Sequence, residues 1–229
     1  RLRPTVLEEV VGQKHIIGED KLLYRAIKAD KLGSVIFYGP PGTGKTTLAK
    51  VIANTTSAEF TQLNATVAGK KDMEEIVRGA KDRLGMYGKK TILFVDEIHR
   101  FNKSQQDSLL GAVERGIITL IGATTENPSF EVIRPLLSRA QVYVLKYLQE
   151  EDLTILLNRA IENDEILKKR EVIVESTKAL FRFSGGDARK LLNIIDLLEQ
   201  ASNPNEPLII NDQIVTNRLQ ESPAAYDRN

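Results

Sequence analysis

Cysteine is missing from this 229-residue chain, which excludes disulfides and thiolate metal sites. Histidine is scarce: His15 and His99 lie far apart in sequence and make a poor metal pair. Aromatic residues reach only 6% and form no stacking ladder, and no zinc-finger or helix-turn-helix signature is present. Neither sign of charge dominates, with 32 basic against 31 acidic residues and a formal net charge of +1. Any contact with nucleic acid must therefore come from a local patch, not a global basic field. No run approaches the roughly 18–20 apolar residues of a membrane span, and no signal peptide is visible, so a cytoplasmic or, in a eukaryote, nuclear location is expected. The chain opens at Arg1 and stops in Tyr226-Asp227-Arg228-Asn229, which reads as a piece excised from a longer protein.

What is present is an alternation. Short apolar runs at Val35–Tyr38, Phe60–Asn64, Ile92–Asp96, Thr119–Ala123 and Val142–Leu145 are separated by helix-like stretches. Several are nearly continuous in β-branched or large apolar residues, the mark of parallel strands covered on both faces. In such open α/β sheets ligands bind beyond the carboxyl ends of the strands. After about residue 148 the character changes. Gln149-Glu150-Glu151-Asp152 starts a helix, and helical patterns cover Ser176–Phe183, Asp187–Ala201 and Asn211–Leu219, with a loop at Ser202–Pro207. The expected fold is α/β, with a five-stranded parallel sheet in a nucleotide-binding domain (1–148). A small all-α lid domain (149–222) follows, and residues 223–229 begin a further region.

Gly39-Pro40-Pro41-Gly42-Thr43-Gly44-Lys45-Thr46 fits the phosphate-loop pattern G-x-x-x-x-G-K-S/T completely, after a strand and before a helix at about 45–54. Glycines let the backbone curl so that N–H groups meet phosphate oxygens, Lys45 supplies charge, and Thr46, followed by Thr47, offers a hydroxyl to Mg²⁺. The helix adds its positive N-terminal end. Downstream, Ile92-Leu93-Phe94-Val95 runs into Asp96-Glu97. An apolar strand ending in paired carboxylates has Asp96 to hold Mg²⁺ and Glu97 to take a proton from an attacking water. This tandem favours ATP over GTP as the nucleotide.

Three stretches then carry a family resemblance: Phe94–Asp107, Ile121–Phe130 and Leu136-Leu137-Ser138-Arg139-Ala140. They are similar to the RarA/MgsA family, in the clamp-loader-like branch of the AAA+ superfamily, which includes the Werner-helicase-interacting protein. The resemblance implies a P-loop NTPase AAA+ core and roles for single positions. Thr125 corresponds to sensor 1, Asn64 to the switch residue that restrains Glu97, and Arg139 to an arginine finger acting on a neighbouring subunit. Arg189, in Gly185-Gly186-Asp187-Ala188-Arg189, corresponds to sensor 2. Arg1-Leu2-Arg3-Pro4 and Val10-Val11-Gly12-Gln13 resemble the adenine-pocket segment, with Val11 against the base.

Plainer readings stand beside these. Thr125 could satisfy a strand end, Asn64 could close a turn, and Arg189 could be a helix-surface charge. Arg139 could be an ordinary surface charge, with Arg134 the rival for its role. His99 reads as a local packing or hydrogen-bonding residue.

The resemblance also implies ATP and Mg²⁺ as ligands and single-stranded or forked DNA as partner. It implies a homotetramer of the full-length protein, contacts with single-strand-binding protein or replisome components, and a place in the bacterial nucleoid or the nucleus. Its oligomerising region lies beyond the lid, so weak assembly and low turnover are expected of these residues alone. Between residues 70 and 90, Lys70, Lys71, Arg78, Lys81, Arg83, Lys89 and Lys90 outnumber Asp72, Glu74, Glu75 and Asp82 by three. A solvated helix face explains that as well as a phosphate-binding strip does. A clamp-loader subunit and a RuvB-like branch-migration motor remain alternative readings.

Overall fold

The computed structural model describes residues 4–221. Along the chain run α1 (Lys14–Ile17), α2 (Leu22–Lys28), β1 (Val35–Tyr38), α3 (Lys45–Thr55), β2 (Glu59–Asn64) and α4 (Lys70–Tyr87). Then come β3 (Thr91–Asp96), α5 (Lys103–Glu114), β4 (Ile118–Thr124), α6 (Pro128–Glu131), α7 (Arg134–Leu137) and β5 (Gln141–Val144). The remainder comprises α8 (Glu150–Asn163), β6 (Val172–Val174), α9 (Lys178–Ser184), α10 (Ala188–Gln200), β7 (Leu208–Ile210) and α11 (Asp212–Glu221).

The first five strands form one parallel sheet in the order β2-β3-β4-β1-β5. The most apolar runs, β3, β4 and β1, take the middle and are buried along nearly their whole length, whereas the edge strands β2 and β5 are more open. Helices bury the two faces separately. Phe37, Phe94, Ile121 and Ile52 belong to one apolar cluster; Leu93, Val95, Leu120 and Leu109 belong to the other. Alternate residues of one strand thus feed opposite cores, as the period of two requires. This inserted order, with β4 between β1 and β3, places the phosphate loop and the acidic strand tip on either side of the β4 tip.

Packing divides the chain into two compact units. One holds Pro4–Pro40 with Lys45–Leu145; the other holds Pro41–Gly44 with the described residues from Lys146 onward. In the second unit Leu153, Leu157, Leu180, Leu191 and Ile195 form a core of their own. That unit is not all-α. Val172–Val174 and Leu208–Ile210 pair as a short parallel sheet. Each run is too short to show a period, and its partner lies far along the chain, so only the folded chain reveals the pairing. The same pairing explains why α9 starts at Lys178, later than the expected Ser176. The Glu175 and Ser176 amides donate to the Ile210 carbonyl instead (2.9 and 3.5 Å). Arg170 anchors the loop before β7, donating to the Glu206 carbonyl (2.9 Å) and the Ser202 hydroxyl (2.8 Å).

In the first unit, Glu8 accepts a hydrogen bond from Tyr24 (2.6 Å) and pairs with Lys28 (2.9 Å). The Tyr24 hydroxyl first, then Lys28, hold the Glu8 carboxyl down at about 2, against an ordinary value of 4.5. The folded value lies below the unfolded one. The stabilising contribution is therefore complete above pH 4.5 and fades as pH falls towards 2. A carbon-13 titration of the Glu8 carboxyl should show that low midpoint. A midpoint in the ordinary carboxylate range would mean that the three groups do not act together in solution.

Candidate active site

The phosphate loop leaves the end of β1, and its first residue is locked on both sides. The Gly39 amide donates to the Thr124 carbonyl (3.1 Å), and a Cβ at Gly39 would stand 2.6 Å from the Leu145 carbonyl oxygen. Lys45, opening α3, folds back so that its ammonium donates to the Gly39 and Pro40 carbonyls (2.6 and 2.7 Å). Gly42 and Gly44 both sit at left-handed φ, +72° and +103°. At Gly44 a Cβ would meet nothing within 4 Å, so glycine is needed there for its backbone and not for lack of room. Thr43 is buried, and Thr46 and Thr47 are half-buried in the first turn of α3. Left-handed glycines followed directly in the chain by a lysine and a helix start are the donor types that suit a polyphosphate.

Asp96 ends β3 half-buried, and its Oδ1 accepts the Glu97 amide (2.9 Å). Glu97 itself adopts φ 54°, ψ 46°, a left-handed conformation that costs a non-glycine residue about 1–3 kcal/mol. The next three residues hold the turn: the Arg100 amide bonds the Glu97 carbonyl (2.8 Å), and Ile98 is fully buried. The hydroxyl of Thr46 and the carboxylate of Asp96 are the hard oxygen donors that suit Mg²⁺.

Asn64 lies beside Asp96 in the β2–β3 register. Its side-chain oxygen accepts the amide and hydroxyl of Thr66 (2.9 and 2.6 Å), so it closes its own turn. No described contact links it to Glu97. Thr125 stands exposed just past β4, while its neighbour Thr124 is 1% exposed and bonded to both His99 and Glu126. Val11 is half-buried in a segment where Gly12 and Gln13 both take left-handed φ. Arg1, Leu2 and Arg3 lie outside the described residues, as do residues 223–229.

Between β4 and β5 the chain forms a strap of α6 and α7. Gln106, buried on α5, holds it. Its amide nitrogen donates to the Phe101 and Glu131 carbonyls (3.1 and 2.9 Å), and its oxygen accepts the Ile133 amide (2.8 Å). The strap ends at Arg139, whose side chain is 52% exposed and reaches Glu114 only at 3.9 Å. An open ion pair of this kind is worth at most about 1 kcal/mol and does not tie the guanidinium down. Arg134 is exposed on the same strap.

In the second unit Asp187 caps α10 by accepting the Arg189 and Lys190 amides (2.8 and 3.1 Å), which leaves the Arg189 side chain exposed in the first turn. Gly42 belongs to this unit. Its carbonyl accepts the Ala188 amide (3.0 Å), and a Cβ there would overlap the Asp187 carboxylate. Thr124, Gln106 and Asp187 were not among the residues that motif reasoning selected for a role. Nothing local distinguishes Thr124 from Thr125, or Gln106 from Gln105.

Residues 2–134 match the family described as the Holliday junction DNA helicase RuvB P-loop domain. The chain belongs to that family. Within it, the RarA/MgsA resemblance extends over the whole chain. Replication-associated recombination protein A of Coxiella burnetii is 47% identical across all of this chain and 52% of its own length. The ATPase WRNIP1 of Dictyostelium discoideum is 39% identical across all of this chain and 28% of its own. The solved structure of the Thermotoga maritima RuvB Holliday junction branch migration motor superposes with a TM-score of 0.73 at 28% identity, covering 96% of this chain and 72% of that one. The chain is thus a nucleotide-binding P-loop module with the AAA+ fold. It spans about half the length of the bacterial relatives named for replication-associated recombination.

Proposed function

We propose that this chain is the ATP-hydrolysing module of a RarA-type DNA-maintenance enzyme, working at contacts between copies of itself. One arrangement carries the reading. The phosphate loop, the Asp96-Glu97 turn and Thr125 leave the carboxyl ends of β1, β3 and β4, tied together at Thr124. Residues 1–148 serve as the nucleotide-binding domain and 149–222 as the lid.

In this reading Val11 borders the adenine. The loop residues Gly39, Pro40, Pro41, Gly42, Thr43 and Gly44, with Thr47, line the phosphates, and Lys45 adds positive charge. Glu97 accepts a proton from water as that water attacks the γ-phosphorus. The bond to the β-phosphate oxygen breaks, leaving ADP and phosphate. Thr46 and Asp96 hold Mg²⁺, which when bound neutralises developing charge on the phosphate oxygens. Thr125 places the water, and Arg189 reports the γ-phosphate. Arg139 completes the site of an adjoining copy, and Asn64 restrains Glu97 in states where the side chain leaves its own turn.

The DNA role rests on the relatives and not on a patch in this chain. Of the basic residues around α4, Arg83 is engaged with the buried Thr91 (3.1 Å) and Lys89 with Glu59 (3.2 Å), so these two already have partners within the fold. Identity favours a RarA-type enzyme over a branch-migration motor. It is 39–47% across the whole chain for relatives named for RarA or WRNIP1, against 26–28% for the RuvB structures. Forked or single-stranded DNA as effector, homotetramer assembly, contacts with single-strand-binding protein and residence with the bacterial nucleoid or in the nucleus belong to the same reading.

Lys45→Ala tests the nucleotide site itself. Loss of charge-assisted bonds worth about 1.5–3 kcal/mol should weaken ATP binding by roughly 10–150-fold in a fluorescent-nucleotide titration. Unchanged affinity would remove ATP from this loop. ATP turnover of the protein as its gene encodes it, measured with forked, single-stranded and duplex DNA, then tests the DNA role. Indifference to all three would remove DNA as the effector.

A further inference from the structure

His99 lies two residues beyond Glu97, and the proposed hydrolysis leaves it without a task. Its Nδ1 stands 2.9 Å from the Thr124 hydroxyl, which also lies 3.1 Å from the Glu126 carbonyl and 2.9 Å from the Glu126 amide. A hydroxyl has one hydrogen to give and two lone pairs to offer. Only one assignment satisfies all three contacts. The Thr124 hydrogen goes to the Glu126 carbonyl, and the lone pairs accept the Glu126 amide and an Nδ1–H of His99. That arrangement requires the imidazole proton on Nδ1.

Thr124 has a further connection through its carbonyl, which accepts the Gly39 amide at 3.1 Å. One residue at the end of β4 thus joins the first residue of the phosphate loop, the turn after Glu97 and the loop that carries Thr125. Thr124 is 1% exposed, so its own side of these bonds is shielded from water. Ile98, fully buried between Glu97 and His99, keeps that turn from sliding independently.

We infer that His99 is a positioning residue for ATP hydrolysis, holding the Glu97 turn in register with the phosphate loop and Thr125 through Nδ1–H donation to Thr124. This rests on the proposed hydrolytic function. The link changes where Glu97 and Thr125 stand, not how tightly the loop holds phosphates, so its loss falls on kcat and spares ATP affinity.

The test uses the protein as its gene encodes it. His99→Ala and Thr124→Val should each lower kcat about tenfold, while ATP affinity stays within about threefold. The double variant should lose no more than either single one, because both remove the same bond. His99→Asn, whose amide can donate from near the Nδ1 position, and Thr124→Ser should keep kcat within about threefold. A nitrogen-15 histidine spectrum of the unaltered protein should show the Nδ1–H tautomer. Additive losses, a loss confined to ATP affinity, failure of His99→Asn to retain activity, or an Nε2–H tautomer would each overturn the inference. Glu97→Gln run in parallel separates the two levels. Persistent turnover there sinks the assignment of Glu97, whereas additivity alongside an inert Glu97→Gln protein sinks only the positioning link.

Discussion

Glu97→Gln should bind ATP as before and turn it over about 10²–10⁴-fold more slowly, the contribution typical of a positioned general base. The substitution keeps the length and shape of the side chain and removes its negative charge and its capacity to take a proton. The backbone asks for nothing that Gln lacks. The left-handed conformation at 97 is held by the buried Ile98 and by the Arg100 amide on the Glu97 carbonyl, neither of which involves the carboxylate. Asp96 continues to accept the amide of residue 97, so the proposed metal donor is undisturbed. Equilibrium binding of a fluorescent nucleotide and single-turnover hydrolysis measured on the same sample separate the two effects. Near-normal turnover with Gln at this position would show that another group activates the water.

Arg139→Ala should reduce turnover by about 10³-fold or more, the effect expected when a guanidinium that offsets charge in phosphoryl transfer is removed. The loss should be repaired in part by mixing. A copy carrying Arg139→Ala still has Glu97, and a copy carrying Glu97→Gln still has Arg139. Mixed assemblies therefore contain sites in which both groups are intact, and their activity should exceed the sum of the separate preparations. The surface position of Arg139 supports this expectation. The side chain is about half exposed, and its one described ionic partner, Glu114, lies at 3.9 Å, a contact that solvent screens and a stronger anion would displace. Arg134→Ala, on the same strap, is the matched control and should retain most activity. Mixed oligomers that form without any recovery, or an Arg134 variant as inert as the Arg139 one, would reassign the finger.

Much of the fold was legible because burial leaves a local trace. Val35–Tyr38, Ile92–Val95 and Thr119–Ala123 are apolar with little interruption, and they became the central strands covered on both faces. Where the trace was short, legibility ended. Val172–Val174 and Leu208–Ile210 are three-residue runs in a stretch dominated by helical spacing, and a parallel pair across α9 and α10 leaves no periodic signature. Asn64 illustrates a different limit. Its place at the tip of β2 was readable, but its side chain could either reach across to Glu97 or close its own turn. In the structure the nearby Thr66 amide and hydroxyl hold it.

The chemical groups of the candidate site were written in the sequence, because a phosphate loop needs its glycines and lysine contiguous and an apolar strand ending in paired carboxylates stands out from its surroundings. Which strand lies beside which was settled only in three dimensions. With β4 inserted between β1 and β3, Thr124 can bond at once to Gly39 and to His99, residues 85 and 25 positions away. Gln106, on α5, likewise grips the strap that carries Arg139. The physical reason is one of range: helix and strand periods report neighbours a few residues apart. Hydrogen bonds between strand tips depend on sheet order, which no local spacing encodes.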